Sequence, residues 1–140
     1  HIAYLTQGQY IFSGTIEENI TWGEKLSLPS RLKQAISIAQ LTSLVNEKGL
    51  EHQILEGGTN LSGGQRQRIS IARSLVHKVD FLLMDEPSSA LDQNTEGAFF
   101  SELANLKGEV GVVIVTHRPE FLRHADKVID FRADGRVVLS

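Results

Sequence analysis

An α/β fold, with a helical region inserted ahead of a parallel sheet, is predicted by three features of the 140-residue sequence. Two short apolar runs, 79–84 and 110–115, each lead into polar residues, and a helical pattern over 94–106 lies between them. That succession is a β–α–β unit, whose paired strands are expected to be parallel and buried on both faces. Residues 15–78 carry helical periods punctuated by glycine and proline, and read as all-helical. Residues 128–131 and 136–139 flank Asp134-Gly135, a short turn signal that predicts a hairpin.

Taken in order, residues 2–5 read as a short buried strand stopped by the polar stretch 6–9. Ser13-Gly14-Thr15 punctuates the chain, and 16–20 predict a brief helix with Glu17 and Glu18 in its first turn, where the helix dipole favours acids. Pro29 opens a longer helix, in which Leu32, Ala35, Ile36, Ala39 and Gln40 keep the 3.6-residue period to about Leu41. A second short helix over 42–47 ends at Lys48-Gly49, glycine being favoured just past a helix. After Ser62, the residues Ile69, Ala72, Leu75 and Val76 mark one side of a further helix. The expected organisation is a core strand and loop over 1–14, a helical subdomain over 15–78, and the C-terminal part of the core over 79–140.

Composition narrows the function classes. Apolar residues make up 41% and charged ones 22%, as in a soluble globular domain. A chain this long buries roughly 68–70% of its unfolded surface, enough for a core without staples. Without cysteine there is no disulfide framework and no thiolate metal site. Fourteen basic against seventeen acidic residues give a net charge of −3, so a nucleic-acid partner is not expected. No apolar run approaches the ~20 residues of a membrane span, and no signal-peptide pattern opens the chain.

Three local patterns carry chemistry. In Leu61-Ser62-Gly63-Gly64-Gln65-Arg66-Gln67-Arg68, Ser62 and Gln65 have the spacing of a capping box. The two glycines leave amides at the helix start uncovered, which suits a phosphate, although an ordinary capped helix has the same pattern. Phe81-Leu82-Leu83-Met84 runs into Asp85 and Glu86, an apolar strand ending in two carboxylates. Ligands gather at the carboxyl ends of strands in open α/β sheets, where one acid suits Mg²⁺ and the next the attacking water. Strands ending in Asp-Glu are nonetheless commonplace. His117 follows the run 113–116, and an isolated histidine at a strand end is most often structural.

Residues 61–68 match without a mismatch the signature motif of ATP-binding cassette (ABC) ATPases, and the rest follows in family order. Residues 81–86 resemble the Walker B strand, 87–92 the D-loop with Ser88 where threonine is usual, and His117 the switch histidine. Gln7 matches the Q-loop glutamine, and residues 11–20 look like the stretch that follows it in exporter-type cassettes. Glu56 and Gly58 fit the exporter X-loop, with Leu55 where glycine is usual. The resemblance implies a P-loop NTPase (RecA-like) core carrying the ABC helical subdomain, acting on ATP with Mg²⁺. It assigns Asp85 to the metal, Gln7 to the metal or, as a catalytic residue, to the attacking water, Glu86 as general base, and His117 to the γ-phosphate. Ser62, Gly63, Gly64 and Gln65 would bind the ATP of a second nucleotide-binding domain in a head-to-tail dimer, with Asp92 communicating across it. The Q-loop, Glu56 and the helical subdomain would meet a transmembrane domain, at the cytoplasmic face of a membrane.

A phosphate-cradling P-loop requires G-x-x-x-x-G-K-[ST], and none of the twelve glycines is followed by lysine. In the family that loop precedes the Q-loop. The chain is therefore expected to be the C-terminal part of a nucleotide-binding domain, binding ATP weakly and not turning it over alone. Arg66 and Arg68 are expected on the exposed side of the signature helix. The alternative from another class is a soluble ABC ATPase acting on ribosomes or DNA.

Overall fold

The computed structural model describes residues 1–6, 8, 10–25, 28–132 and 135–140, without the side chains of residues 119 and 120. In chain order it contains β1 (Ile2–Leu5), β2 (Gly14–Thr15), α1 (Ile16–Thr21), α2 (Pro29–Ile38), α3 (Thr42–Lys48) and β3 (Gln53–Ile54). A 3-10 turn at Glu56–Gly58 leads to α4 (Gly63–Leu75), β4 (Phe81–Asp85), α5 (Gln93–Ala104) and β5 (Gly111–Val115). A second 3-10 turn at Pro119–His124 precedes the hairpin of β6 (Ile129–Phe131) and β7 (Val137–Leu139).

β1, β4 and β5 form a parallel sheet in the order β1-β4-β5, with Leu5 opposite Met84 and Asp85 opposite Val115. The crossover through α5 is the expected β–α–β unit. Burial on both faces is not found. Leu5, Leu82 and Met84 are buried toward α4, whereas Ile2, Tyr4, Phe81, Leu83, Val113 and Val115 are 36–71% exposed. Successive side chains of a strand point to opposite faces, and no helix among the described residues covers the second one. β1 is thus buried only at Leu5.

The core gathers around α4, whose Ile69, Ile71 and Ala72 are fully buried with Ile16, Ile20, Leu41, Leu82 and Phe99. Residues 15–78 are not all helical, because β2 pairs antiparallel with β3, Thr15 opposite Gln53. The first amides of α1 explain the pairing. Such amides have no partner inside the helix, and those of Ile16 and Glu17 donate to the carbonyls of His52 and Leu50 at 3.1 Å. Thr15 and Glu18 close a capping box at the same end. α2 stops at Ile38, short of Leu41, in a Schellman turn built on a left-handed Gln40 rather than a glycine. There the amides of Gln40 and Leu41 donate to Ser37 and Ile36 at 3.0 and 2.9 Å. β6 and β7 pair as expected, Ile129 opposite Leu139, while Asp134 of the turn signal lies outside the described residues.

Candidate functional site

Glu86 leaves β4 in the left-handed region, φ 47°, unusual for a residue with a branched polar side chain beyond Cβ. Its amide donates to the Val115 carbonyl at 2.9 Å, extending the β4–β5 ladder by one residue. The turn swings its carboxylate toward the end of β5. There Oε1 accepts the His117 amide at 2.9 Å and lies 2.6 Å from the His117 ring Nδ1, while Oε2 accepts the Thr116 hydroxyl at 3.3 Å. The Glu86 side chain is 11% exposed and that of His117 83%. With Nδ1 engaged by the carboxylate, Nε2 is the ring nitrogen left for a ligand.

Asp85 ends β4, half-buried, and among the described residues no donor bonds its carboxylate. That donor set fits Mg²⁺, which keeps several waters and takes only one or two protein carboxylates. It does not fit a metal held by protein alone, since no group of three potential ligands occurs among the described residues. Gln7, expected to share the metal, lies outside the described residues.

Ser62 and Gln65 form the expected capping box at α4. The Gln65 amide donates to Ser62 Oγ at 3.1 Å, and Gln65 Oε1 accepts the Ser62 amide at 2.9 Å. The serine proton remains available to a ligand. Gly63 and Gly64 occupy the first two helical positions, and a Cβ on Gly64 would lie 2.9 Å from the Ala90 carbonyl oxygen. Close packing therefore requires the second glycine, whatever it does for phosphate. Arg66 and Arg68 are not on an exposed side. Both are half-buried, Arg66 donating to the Leu61 carbonyl at 2.8 Å and Arg68 to that of Gln40 at 2.9 Å. Backbone carbonyls in the turns flanking α4 and α2 draw them inward. Burial lowers the Arg68 pKa, against an opposing pull from Asp92.

Asp92 caps α5. Its Oδ1 accepts the amides of Asn94 and Thr95 at 3.1 and 3.0 Å, and Oδ2 accepts the Thr95 hydroxyl at 2.7 Å. These bonds, the Thr95 amide and hydroxyl foremost, hold its carboxyl below the ordinary carboxylate value. Glu56 is exposed on its 3-10 turn beside an exposed Leu55. Ser88 is fully buried, and among the described residues its hydroxyl has no hydrogen-bond partner.

The sequence reading missed Gln67. It is buried in α4, and its side-chain amide donates to the Glu86 carbonyl at 3.3 Å and to Ser89 Oγ at 3.1 Å. Its Oε1 accepts the Ala90 amide at 2.8 Å. The available signal was a polar residue one turn before buried Ile71, hence on the inward face of the helix. The Glu96–Arg118 pair was missed too. It is bidentate at 2.5 and 3.1 Å, ties α5 to the residue after His117, and has Glu96 buried.

A parallel sheet with an acid pair at one strand end and a histidine at the next, joined to a capped glycine-rich helix, is the architecture of an α/β ATPase core with its helical subdomain. The profile of the ABC transporter family matches residues 1–89. The chain belongs to that family. It is 40% identical over 134 residues to a mycobactin import ATP-binding/permease protein of Mycobacterium bovis, covering 94% of this chain and 23% of that protein. With a glutathione/L-cysteine transport system ATP-binding/permease protein of Haemophilus influenzae it shares 35% identity over 128 residues, 91% of this chain and 22% of the relative. A bacterial Atm1-family ABC exporter solved with ATP bound superposes with a TM-score of 0.82 at 28% identity, covering 91% of this chain and 23% of that one. The chain thus spans between a fifth and a quarter of the length of these relatives. No helix among the described residues is long and apolar enough to cross a membrane.

Proposed function

We propose that this chain is the hydrolytic and signature-bearing part of an ABC nucleotide-binding domain, in a transporter that converts ATP and water to ADP and phosphate. One observation carries the reading: the Glu86 carboxylate sits on the His117 amide and ring at adjacent strand ends. Glu86 would take the proton of the attacking water, and a carboxylate 11% exposed is well shielded for that work. His117 would present Nε2 to the γ-phosphate while its Nδ1 contact orients the ring, and donation from Nε2 requires both ring nitrogens to carry a proton. Asp85 and Gln7 would hold Mg²⁺ through its water shell; when bound, the ion neutralises charge on the phosphates. Ser62, Gly63, Gly64 and Gln65 would bind ATP held by a second nucleotide-binding domain stacked head to tail, with Asp92 at that junction. The P-loop has to come from outside these 140 residues, so the chain alone is expected not to turn ATP over.

Two of the relatives are named ATP-binding/permease proteins, which supports a transmembrane domain as partner rather than a ribosome or DNA. Glu56, the segment after Gln7 and the helical subdomain over 15–78 would face that domain at the cytoplasmic side of the membrane. The exporter-like segment over 11–20 and the Atm1-family superposition favour exporter architecture. Architecture does not by itself set direction, since one relative is named for import. Phosphate release by the intact gene product in liposomes tests the reading. His117→Ala should lower turnover by about 100-fold with Mg-ATP binding retained. Unchanged turnover in that variant would remove His117 from the mechanism.

A further inference from the structure

We infer that Gln67 is a positioning residue for the hydrolytic carboxylate, and that it links the signature end of α4 to the Glu86 turn of the same chain. The inference rests on the proposed role of Glu86 and adds what holds that residue in place.

Glu86 requires support because its backbone is left-handed at φ 47°, a conformation that side-chain-bearing residues keep only when their surroundings impose it. Three groups of Glu86 are held by its neighbours. The Glu86 amide is fixed to Val115 and the carboxylate to His117, both in the β5 segment. The carbonyl is the remaining handle. It accepts the Ser89 amide at 3.2 Å within its own turn and the Gln67 amide at 3.3 Å from another element. Gln67 also bonds Ser89 Oγ and the Ala90 amide, so one buried side chain grips the loop between β4 and α5 at residues 86, 89 and 90. The loop is therefore held by the second turn of a helix whose N-cap and first turn carry Ser62 and Gln65.

The approach is close along the whole contact. Gly64, one turn before Gln67, leaves no room for a Cβ against the Ala90 carbonyl. Displacement of the first turn of α4 by a ligand at Ser62–Gln65 therefore moves Gln67 against the loop, and the Glu86 carbonyl with it. In a head-to-tail pair, that would tie occupancy of one nucleotide site to the geometry of the base at the other.

The test uses the intact gene product, with Gln67→Met, which keeps length and removes all three bonds, and Gln67→Glu, which keeps the acceptor for the Ala90 amide and removes the donor to Glu86. The inference expects kcat for ATP to fall about 10- to 100-fold in both, with KM within twofold and the thermal midpoint little changed. A kcat within twofold of wild type overturns it, as does a loss of kcat that only follows lost stability or raised KM. Failure of both variants to fold also overturns it, by making Gln67 a core residue alone. Glu86→Gln run alongside separates the two readings: if that variant keeps wild-type turnover, the proposed base is wrong, whereas an inactive Glu86→Gln beside an active Gln67→Met rejects only the positioning role.

Discussion

Glu86 holds its backbone in a region that costs on the order of 1–3 kcal/mol for a non-glycine residue. Its amide, carbonyl and carboxylate are each fixed by a different neighbour, Val115, Ser89 with Gln67, and His117 with Thr116. Strain held in place this way aims a carboxylate rather than merely closing a turn. Asp92 shows the opposite economy, one exposed carboxylate serving as the cap of α5. Its folded pKa lies below the ordinary value of about 3.9, so its contribution to stability is full above that pH and is lost as pH falls through the lower folded value. Urea unfolding should therefore show Asp92→Ala less stable than wild type at pH 7, with the gap steady to about pH 5 and narrowing below about pH 4. A gap that widens on acidification would contradict the capping account. Both residues were legible as candidates in the sequence, because strand-end acids and a cap before a helical run have short-range signatures. The left-handed turn of Glu86 was not, since nothing local to Asp85-Glu86-Pro87 demands it.

At the scale of elements, α4 determines most of what the molecule can do. Its start carries the capping box, its middle lies fully buried at Ile69, Ile71 and Ala72, and Gln67 reaches across to the β4–α5 loop. Near its C-terminal end Arg73 donates to the carbonyls of Asn19 and Tyr10 at 2.5 and 2.6 Å and lies 4.3 Å from the Trp22 ring centroid. Burial pulls the Arg73 pKa down to about 10, with Tyr10 opposing; the guanidinium still stays charged at neutral pH. One helix thus joins the glycine-rich turn, the Glu86 turn and the segment that follows residue 9. Gly64→Ala should unfold more easily, by roughly 1–3 kcal/mol in urea titration, because a methyl 2.9 Å from the Ala90 carbonyl forces helix and loop apart. An alanine variant as stable as wild type would show that the contact relaxes freely. The capped starts of α1 and α4 follow from residues three apart, which a sequence displays. The end of α2 at Gln40 does not, because its left-handed residue is not a glycine and is held from α4 by Arg68. Gln67 and its loop partners are likewise separated by about twenty residues, beyond any local signal.

For the molecule as a whole, the parallel order of the sheet was legible from two apolar runs around a helix, but its one-sided burial was not. Phe81-Leu82-Leu83-Met84 is apolar at every position, the pattern of a strand covered on both faces. Only packing reveals that Phe81, Leu83, Val113 and Val115 stand open here while Leu82 and Met84 are buried. The strand ends are placed independently of that open face. Register alone puts Asp85 beside Val115, and one further residue on β4 and two on β5 bring Glu86 to His117. The central claim is that this juxtaposition is a hydrolytic centre with Glu86 as its base. Steady-state phosphate release by the intact gene product, with Glu86→Gln against wild type, tests it most directly. The expected result is turnover lowered by about 10²- to 10⁴-fold while Mg-ATP still binds. Wild-type turnover in the Glu86→Gln protein would contradict it.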